Sequence, residues 1–313
     1  TIYNAGGNLT ENIVDMVTTD DNFYIKIKAN KNKVNSNIDK CLINELSILQ
    51  EICNLTSLDV KELIDYYGYL PDWENSNLDL KLIYNKIIND APYRGYGYFV
   101  KHKAFTIING QLSPLENVDA QGISDLYGYQ RERNQVLENT KALVQGKAAN
   151  NVLLYGDAGT GKSSTIKAVA NEFYDQGLRL IEFDKNQLTC MPQIMEELSS
   201  NPLKFIFYID DLSFAENNDH FCALKGILEG HISSNNKNIV IYATSNRRHF
   251  IKESMDERMG NELHLNDTLQ ETMSLAARFG LTITFQKPEK ELYLEIVKSL
   301  ADENKIKIPE DEL

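Results

Sequence analysis

The sequence has little of what marks several specialised classes of protein. It holds only four cysteines in 313 residues, and no two of them form a CxxC pair, so free thiols in a reducing compartment are favoured over a disulfide framework. No apolar run approaches the roughly 18 residues of a membrane-spanning helix. The start of the chain lacks the basic and apolar stretches of a secretory signal. We therefore expect a cytoplasmic protein with no membrane contact, and the missing initial Met indicates a piece of a longer chain.

Positive charge is also scarce. Lys and Arg number 32 against 45 Asp and Glu, which gives a net charge of −13. Bulk electrostatics therefore repel nucleic acid and anionic lipid, and a nucleic-acid role requires a local basic patch. The densest basic spot is Arg-Arg-His at residues 247–249. It is compatible with a contact to phosphate, to a partner subunit or to nucleic acid, and equally with a solvated turn.

The first 117 residues carry no chemical motif, and we predict a smaller, mixed but mostly helical domain there. Apolar and polar residues alternate over residues 23–28, which predicts a strand. Elsewhere in this region, apolar residues three to four positions apart predict helices, and an Asn-Gly pair after an apolar strand predicts a tight hairpin. The helices lie within residues 38–67 and 78–88 and the hairpin at residues 105–110.

From residue 118 onward, short and almost wholly apolar strands alternate with helical segments. Such strands are typical of a parallel sheet that helices cover on both faces. Their carboxyl ends lie at one edge of the sheet, where ligands bind in such folds. We predict an α/β core over residues 118–287 and the start of an incomplete helical lid over residues 288–313. The five predicted strands are residues 152–155, 178–183, 205–209, 239–243 and 281–285.

The strongest motif is Gly156-Asp-Ala-Gly-Thr-Gly-Lys-Ser163, which matches GxxxxGK[ST] in full. It follows an apolar strand and opens a helical stretch, the setting that this phosphate-binding motif requires. Glycines let successive backbone N–H groups point at one phosphate cluster, and the helix start adds partial positive charge. Lys162 is expected to reach the β- and γ-phosphates of ATP, and Ser163 to ligate Mg²⁺. The predicted nucleotide-binding residues here are Gly156, Asp157, Ala158, Gly159, Thr160, Gly161, Lys162, Ser163 and Ser164.

Two further apolar strands end in polar side chains. The first ends in Asp210 and Asp211, which is the Walker B arrangement. Asp210 is expected to hold Mg²⁺ together with Ser163, and Asp211 to act as a general base or to orient the attacking water. The second ends in Asn246, which is expected to hydrogen-bond that water and the γ-phosphate. Asp, Ser and Asn are also ordinary turn residues, so the succession of the three motifs is what favours a nucleotide site.

These motifs resemble Walker A, Walker B and sensor 1 of the AAA+ class of P-loop ATPases, with sensor 1 at Thr244-Ser245-Asn246. Within that class the chain resembles the bacterial family known as domain of unknown function 815, over about residues 118–300. The stretch at residues 277–281 is also similar to bacterial replication initiators and helicase loaders. The stretches that carry the family resemblance are residues 126–129, 150–157, 177–182, 210–214, 242–249 and 277–281.

The resemblance implies a five-stranded parallel AAA+ core and further site residues. Arg278 falls where these ATPases carry an arginine finger, a residue that completes the γ-phosphate site of a neighbouring subunit and can be worth about 10³–10⁵ in rate. It therefore implies a homo-oligomer. Tyr127 and Gly128 fall where the class contacts adenine. Arg278 is also compatible with a surface ion pair, and Tyr127 with packing in the core.

The chain departs from the class in two respects. The Walker B strand usually ends in Asp-Glu, whereas here it ends in Asp-Asp. Asp211 is one methylene shorter, about 1.5 Å in reach, and a misplacement of about 1 Å can cost about 100-fold in rate. Slow hydrolysis or a compensating carboxylate is expected, with Glu216 as the candidate. No Arg follows Arg278, so the second sensor Arg of a complete helical lid is not found.

The sequence favours an Mg²⁺-dependent ATPase that hydrolyses ATP to ADP and phosphate and remodels an unknown protein or nucleic-acid partner. The first alternative is a slowly hydrolysing nucleotide switch or loader that binds DNA or a replication protein. A small-molecule P-loop kinase is a third interpretation, although it leaves residues 244–246 and 277–281 unexplained. Residues 183–191 spell no clear pore loop, which weakens the case for a peptide-threading unfoldase.

Overall fold

The chain forms two compact units, Thr1–Lys101 and His102–Leu313. The computed structural model describes residues 6–116, 121–212, 219–230, 237–246 and 275–306. Each unit has its own hydrophobic core. Within the described residues, no helix combines the length and the apolar character needed to cross a bilayer.

The first unit is helical, and each of its five described helices begins at a side chain that caps it. The residue before each helix is Asn, Thr or Asp, and its side-chain oxygen accepts a hydrogen bond from a backbone N–H of the first turn. Such caps satisfy N–H groups that lack a partner within the helix and contribute about 1 kcal/mol each. The helices predicted within residues 38–67 and 78–88 are confirmed. The helices are α1 (Leu9–Thr18), α2 (Phe23–Ala29), α3 (Ser36–Cys53), α4 (Ser57–Leu63) and α5 (Leu80–Arg94).

The strand predicted over residues 23–28 is wrong, because this segment forms helix α2. The Asn22 side chain caps the helix, and its Oδ1 accepts a hydrogen bond from the backbone N–H of Ile25 at 3.0 Å. Ile25 and Ala29 lie one turn apart on the same helix face, and both are buried in a cluster with Ala91. Alternation over so short a segment is a weak signal, whereas the cap and the buried pair at i and i+4 both favour a helix.

The second unit is built on a seven-stranded sheet in which six strands run parallel. All five strands predicted for the core are present. The strands are β1 (Ala104–Ile108), β2 (Gln111–Leu115), β3 (Val152–Gly156), β4 (Leu178–Phe183), β5 (Lys204–Ile209), β6 (Ile239–Asn246) and β7 (Leu281–Phe285). Their order across the sheet is β2-β1-β4-β5-β6-β3-β7.

The sheet is larger than the five strands expected because the β1–β2 hairpin joins it. The predicted tight turn is confirmed: Asn109 and Gly110 have φ of 53° and 77°, as a two-residue hairpin of matching twist requires. Strand β1 then pairs in parallel with β4, where Ala104 lies opposite Leu180. The sheet therefore begins at Ala104, ahead of the boundary predicted at residue 117.

Helices return the chain between the parallel strands and cover the sheet. The interiors of β3 and β5 are wholly buried: Leu153, Leu154, Phe207 and Tyr208 are each 0% exposed. Strands buried on both faces read as continuous apolar runs, which is why the sequence located them well. The described helices of this unit are α6 (Gln130–Val144), α7 (Lys162–Glu172), α8 (Met191–Ser199), α9 (Asp219–Leu228) and α10 (Lys290–Glu303).

The strand order places three carboxyl ends side by side. Strand β6 lies between β5 and β3, and all three run parallel. In register, Ile209 lies opposite Ala243, and Gly156 lies opposite Asn246. The loop after β3, the two aspartates after β5 and the end of β6 therefore meet at one edge of the sheet.

Candidate functional site

A cavity of about 360 Å³ opens at this edge of the sheet. Gly159 and Gly161, in the loop between β3 and α7, have φ of 76° and 83°, conformations that glycine adopts without strain. The loop thereby leads into the amino end of α7, where unpaired N–H groups and the helix dipole favour an anion. The cavity is lined by Ala158, Gly159, Thr160, Gly161, Lys162, Ser163, Ser164, Asp210, Asp211, Thr244 and Asn246.

Gly156 and Asp157 hold the loop in place and do not line the cavity. Gly156 has φ of 146°, and a Cβ atom on it would lie 1.9 Å from the carbonyl oxygen of Phe285. The backbone N–H of Asp157 donates to that same oxygen at 3.1 Å, and Asp157 Oδ2 accepts a hydrogen bond from Lys287 N at 2.9 Å. The start of the loop is thus fixed against the end of β7.

Gly156→Ala is expected to destabilise the protein by about 3 kcal/mol or more, because the added methyl group meets a backbone carbonyl that cannot move away. The measurement is the free energy of unfolding by denaturant. Gly146→Ala is the matched control, since Gly146 also has a left-handed φ of 70° but no atom within 4 Å of its Cβ position; its cost is about 1 kcal/mol. Equal losses in the two variants would show that the close approach at Gly156 contributes nothing.

Lys162 lies across the cavity with its side chain buried, at 6% exposure. Its Nζ donates to the carbonyl oxygens of Gly156 at 3.2 Å and Asp157 at 2.6 Å, and to Asn246 Oδ1 at 3.1 Å. Burial lowers the pKa of Lys162, and nearby carboxylates, led by Asp157, oppose that shift. A desolvated ammonium group held by neutral oxygens is well placed to exchange them for an anion.

Asp210 accepts two hydroxyl hydrogen bonds on the same oxygen. Ser163 Oγ donates to Asp210 Oδ1 at 2.8 Å, and Thr244 Oγ1 donates to it at 2.6 Å. Burial alone would raise the pKa of Asp210, but the hydroxyls of Thr244, Tyr208 and Ser163 together lower it below its usual range. The carboxylate is therefore ionised at neutral pH and suits a hard divalent cation.

The oxygen ligands at this edge of the sheet suit Mg²⁺, which is commonly shared between protein and phosphate, better than a metal ion that protein side chains enclose completely. Among the described residues, no group of three or more His, Cys, Asp or Glu side chains could enclose an ion. Ser163 and Asp210 offer two oxygen ligands, and Mg²⁺ commonly takes one or two protein oxygens and completes its shell with phosphate and water. Both residues predicted as metal ligands therefore lie together.

Asp211 lies beside Asp210, and the Thr244 hydroxyl links the two residues. Its backbone adopts φ of 47°, and its N–H donates to Thr244 Oγ1 at 2.8 Å. Asn246 Nδ2 donates to Asp211 Oδ1 at 2.8 Å, while Asn246 Oδ1 accepts from Lys162. The predicted general base and the predicted sensor are thus in direct contact, and the sensor also contacts the phosphate-loop lysine.

Lys185 is a site residue that the sequence analysis missed. Its Nζ lies 3.6 Å from Asp211 Oδ2, with both side chains partly exposed. The available signal was its position two residues after β4, because β4 neighbours β5 and so brings Lys185 beside Asp211. A lone lysine after a strand is too ordinary to stand out without knowledge of that strand order.

Arg278 lies at the opposite edge of the sheet from the cavity. It precedes β7 by three residues, and Leu281, at the start of β7, lies opposite Val152 at the start of β3. Arg278 Nε and Nη2 contact Glu229 Oε1 at 2.8 and 2.5 Å. The cavity follows the far end of β3, so this arginine does not serve the site of its own chain.

The residues predicted to contact adenine pack beside α10 and do not line the cavity. A Cβ atom on Gly128 would meet Ile296 and Leu292 of that helix. The pKa of Tyr127 is raised by partial desolvation and by Glu303. The compensating carboxylate Glu216 and the basic residues 247–249 lie outside the described residues.

Comparison with known proteins identifies the family. Residues 100–313 match the family described as protein of unknown function (DUF815). This confirms the resemblance predicted from the sequence. The match also begins 18 residues earlier than the predicted resemblance and so includes the β1–β2 hairpin.

Two solved structures show a distant likeness. AMPPCP-bound DnaA from Aquifex aeolicus is 16% identical, with a TM-score of 0.40 over 61% of this chain and 57% of that chain. A variant of RuvB from Thermotoga maritima is 18% identical, with a TM-score of 0.41 over 60% of this chain and 55% of that chain. This chain therefore spans less than two thirds of either protein.

Proposed function

Since this chain belongs to the family of proteins of unknown function DUF815, we propose that it is an AAA+ P-loop ATPase that binds ATP with Mg²⁺ and hydrolyses it to ADP and phosphate. The observation that carries the proposal is the convergence of Lys162, Asp210 and Asp211 in one cavity at the carboxyl edge of the sheet. We propose further that hydrolysis remodels a protein or nucleic-acid partner, as the resemblance to AAA+ proteins implies.

The phosphate loop supports ATP binding. The start of α7 and the glycine-rich backbone offer N–H donors to the β-phosphate. Lys162 exchanges its hydrogen bonds to the Gly156 and Asp157 carbonyl groups for phosphate oxygens, which carry more negative charge. Because the ammonium group is already desolvated, little further desolvation accompanies that exchange.

Ser163 and Asp210 are the residues proposed to hold Mg²⁺. A cation held there would supply charge neutralisation at the phosphates of the nucleotide. Thr244 donates to Asp210 at 2.6 Å and so fixes one oxygen of the carboxylate. This contact orients Asp210 independently of Ser163.

Asp211 and Asn246 are the residues proposed to position the attacking water. Their side chains are 2.8 Å apart, so a water molecule between them and the γ-phosphate can donate to the carboxylate and contact the amide. Asp211 then takes the proton that the water loses on attack. Asn246 also accepts a hydrogen bond from Lys162. A movement of Asn246 when the γ-phosphate leaves would therefore change the contacts of the lysine.

Arg278 is proposed to act on the site of a neighbouring subunit, and a mixing experiment tests this. Arg278→Ala is expected to lower the ATPase rate about 10³-fold or more, and Lys162→Ala to abolish it. When the two inactive variants are mixed, an intact Arg278 from one subunit meets an intact nucleotide site on the other. Phosphate release is expected to return in the mixture and, for the wild type, to rise per molecule with protein concentration.

Two results would contradict this arrangement. A specific rate that does not depend on concentration would indicate a self-contained site. An Arg278→Ala protein that keeps full ATPase activity on its own would remove Arg278 from catalysis. Either result leaves the assignment of the phosphate loop intact.

A second candidate function is a slowly hydrolysing nucleotide switch or loader that binds DNA or a replication protein. The observation that favours it is the ion pair between Lys185 and Asp211, because a lysine that holds the proposed general base competes with the attacking water for the same carboxylate. Retention of the ATP-bound protein on DNA at about 50 mM salt, lost at higher salt, would favour this function. No retention would count against it.

A further inference from the structure

Arg278, the residue proposed to act on a neighbouring subunit, is held by a carboxylate of its own chain. Its Nε and Nη2 atoms both contact Glu229 Oε1, at 2.8 and 2.5 Å. Because the guanidinium group is planar and rigid, two of its nitrogens directed at one oxygen restrict its orientation as well as its position. The side chains of Arg278 and Glu229 are only 26% and 30% exposed, so the protein covers most of the surface of both.

The backbone around Arg278 is anchored in the core. Leu275 and Phe279 are 0% and 3% exposed, and the Arg278 N–H donates to the Leu275 carbonyl oxygen at 3.0 Å. Strand β7 begins two residues after Phe279. The backbone of Arg278 is therefore fixed, whereas its long side chain has many rotamers of its own. A contact at the end of that side chain selects among them.

Glu229 occupies a position that favours a cationic partner. It directly follows α9, where its N–H donates to the Lys225 carbonyl oxygen at 3.0 Å, and Gly230 has a left-handed φ of 77°. The carbonyl groups at the carboxyl end of a helix carry partial negative charge, so a carboxylate there is unfavourable by itself. Pairing with Arg278 offsets that repulsion.

The two contacts do not use all the donors of Arg278. Glu229 contacts the edge of the guanidinium group that Nε and Nη2 form, and Nη1 lies outside that edge. A guanidinium group carries five N–H donors, more than these contacts require. An arginine held in this way is still able to donate to an anion.

We propose that Glu229 is the positioning residue for Arg278: its carboxylate holds the guanidinium group in the orientation that the nucleotide site of a neighbouring subunit requires. The inference rests on the proposed role of Arg278 in the neighbouring site and deepens it. Glu229 acts through the arginine and does not itself contact the nucleotide.

A mixture of two inactive variants tests the inference, because one chain supplies the arginine and the other supplies the nucleotide site. Lys162→Ala chains supply Arg278, and Arg278→Ala chains supply the site. Adding Glu229→Ala to the Lys162→Ala chain is expected to lower the recovered ATPase rate about 100-fold, the typical cost of a misplacement of about 1 Å. Adding it to the Arg278→Ala chain is expected to change nothing, because the residue that Glu229 positions is already absent.

Two further variants of the Lys162→Ala chain are the controls. Glu229→Gln keeps the length of the side chain and an oxygen that can accept from Arg278, so most of the recovered rate is expected to remain. Glu197→Ala removes an exposed carboxylate near the carboxyl end of α8, and the recovered rate is expected to stay the same. Thermal unfolding is expected to change little in either Ala variant, since neither helix end needs an acid.

A double-mutant comparison in unmixed protein gives a second measurement. Glu229→Ala alone is expected to lower the rate at saturating ATP about 100-fold and to leave ATP affinity unchanged, because the phosphate loop is intact. In combination with Arg278→Ala it is expected to cause no further loss, because the two residues act as a unit.

Three results would overturn the inference. An equal loss whichever chain carries Glu229→Ala would indicate a general structural role. An unchanged or higher rate with Glu229→Ala in the arginine-supplying chain would show that the carboxylate is dispensable or holds Arg278 away from the neighbouring site. Full activity of Arg278→Ala on its own would overturn the proposed role of Arg278 and this inference with it, whereas the first two results leave that role intact.

Discussion

Lys162→Ala is expected to weaken ATP binding by at least about 100-fold, which corresponds to about 3 kcal/mol. The lysine is the one cationic side chain among the described residues that line the cavity. Its ammonium group is buried and makes three hydrogen bonds, all to neutral oxygens. Phosphate oxygens are stronger acceptors, and their attraction to the cation is little screened in a buried site. No other described lining residue supplies that charge.

The measurement is a titration with a fluorescent ATP analogue in the presence of Mg²⁺, with thermal unfolding as a check on the fold. Lys167→Ala is the matched control, because it removes the same charge from the same helix and does not line the cavity. We expect the control to bind as the wild type does. Wild-type affinity in Lys162→Ala would show that this loop does not bind the phosphates of ATP. The proposed ATPase function would then have no support.

Asp211→Asn is expected to reduce the rate of ATP hydrolysis about 10³-fold while ATP affinity changes little. Asn keeps the size of the side chain and its tolerance of the left-handed backbone at this position. It can still contact Asn246, but an amide cannot accept the proton of the attacking water. The effect should therefore fall on the chemical step and spare binding.

Single-turnover hydrolysis and an equilibrium titration separate the two effects. Asp184→Asn is the matched control, since Asp184 follows β4 near the same edge of the sheet and caps a short turn by accepting from Asn186 N at 2.9 Å. Asn caps such turns equally well, so this variant should hydrolyse ATP at the wild-type rate. An Asp211→Asn protein that hydrolyses ATP at the wild-type rate would show that another residue is the general base.

The phosphate loop was predictable because its chemistry depends on residues adjacent in sequence. Glycines at fixed spacing, a lysine and a serine are needed in that order, whatever surrounds them. The buried parallel strands were predictable for a similar reason, since burial on both faces requires a continuous apolar run. The positions of Asp210 and Asn246 followed from the carboxyl ends of those strands.

Features that depend on pairing between distant segments were not predictable in the same way. The hairpin at residues 104–115 was recognised, but its pairing with β4 was not, because the strands adjoin across more than 60 residues without a local signal. Lys185 was missed for the same reason. The helix at Phe23–Ala29 was misread because six alternating residues are a weaker indication than the cap and the buried face, whose partner α5 lies far along the chain.

The left-handed backbone at Asp211 favours the shorter of the two acidic residues at that position. At φ of 47°, aspartate is among the non-glycine residues that such a conformation tolerates best, whereas glutamate is less favoured. The side chain already meets Asn246 at 2.8 Å, so its contact with the sensor residue needs no extra methylene. Chain length and backbone geometry are therefore coupled at this position. A carboxylate that meets Asn246 from a turned backbone makes the Asp-Asp pair a self-consistent alternative to Asp-Glu.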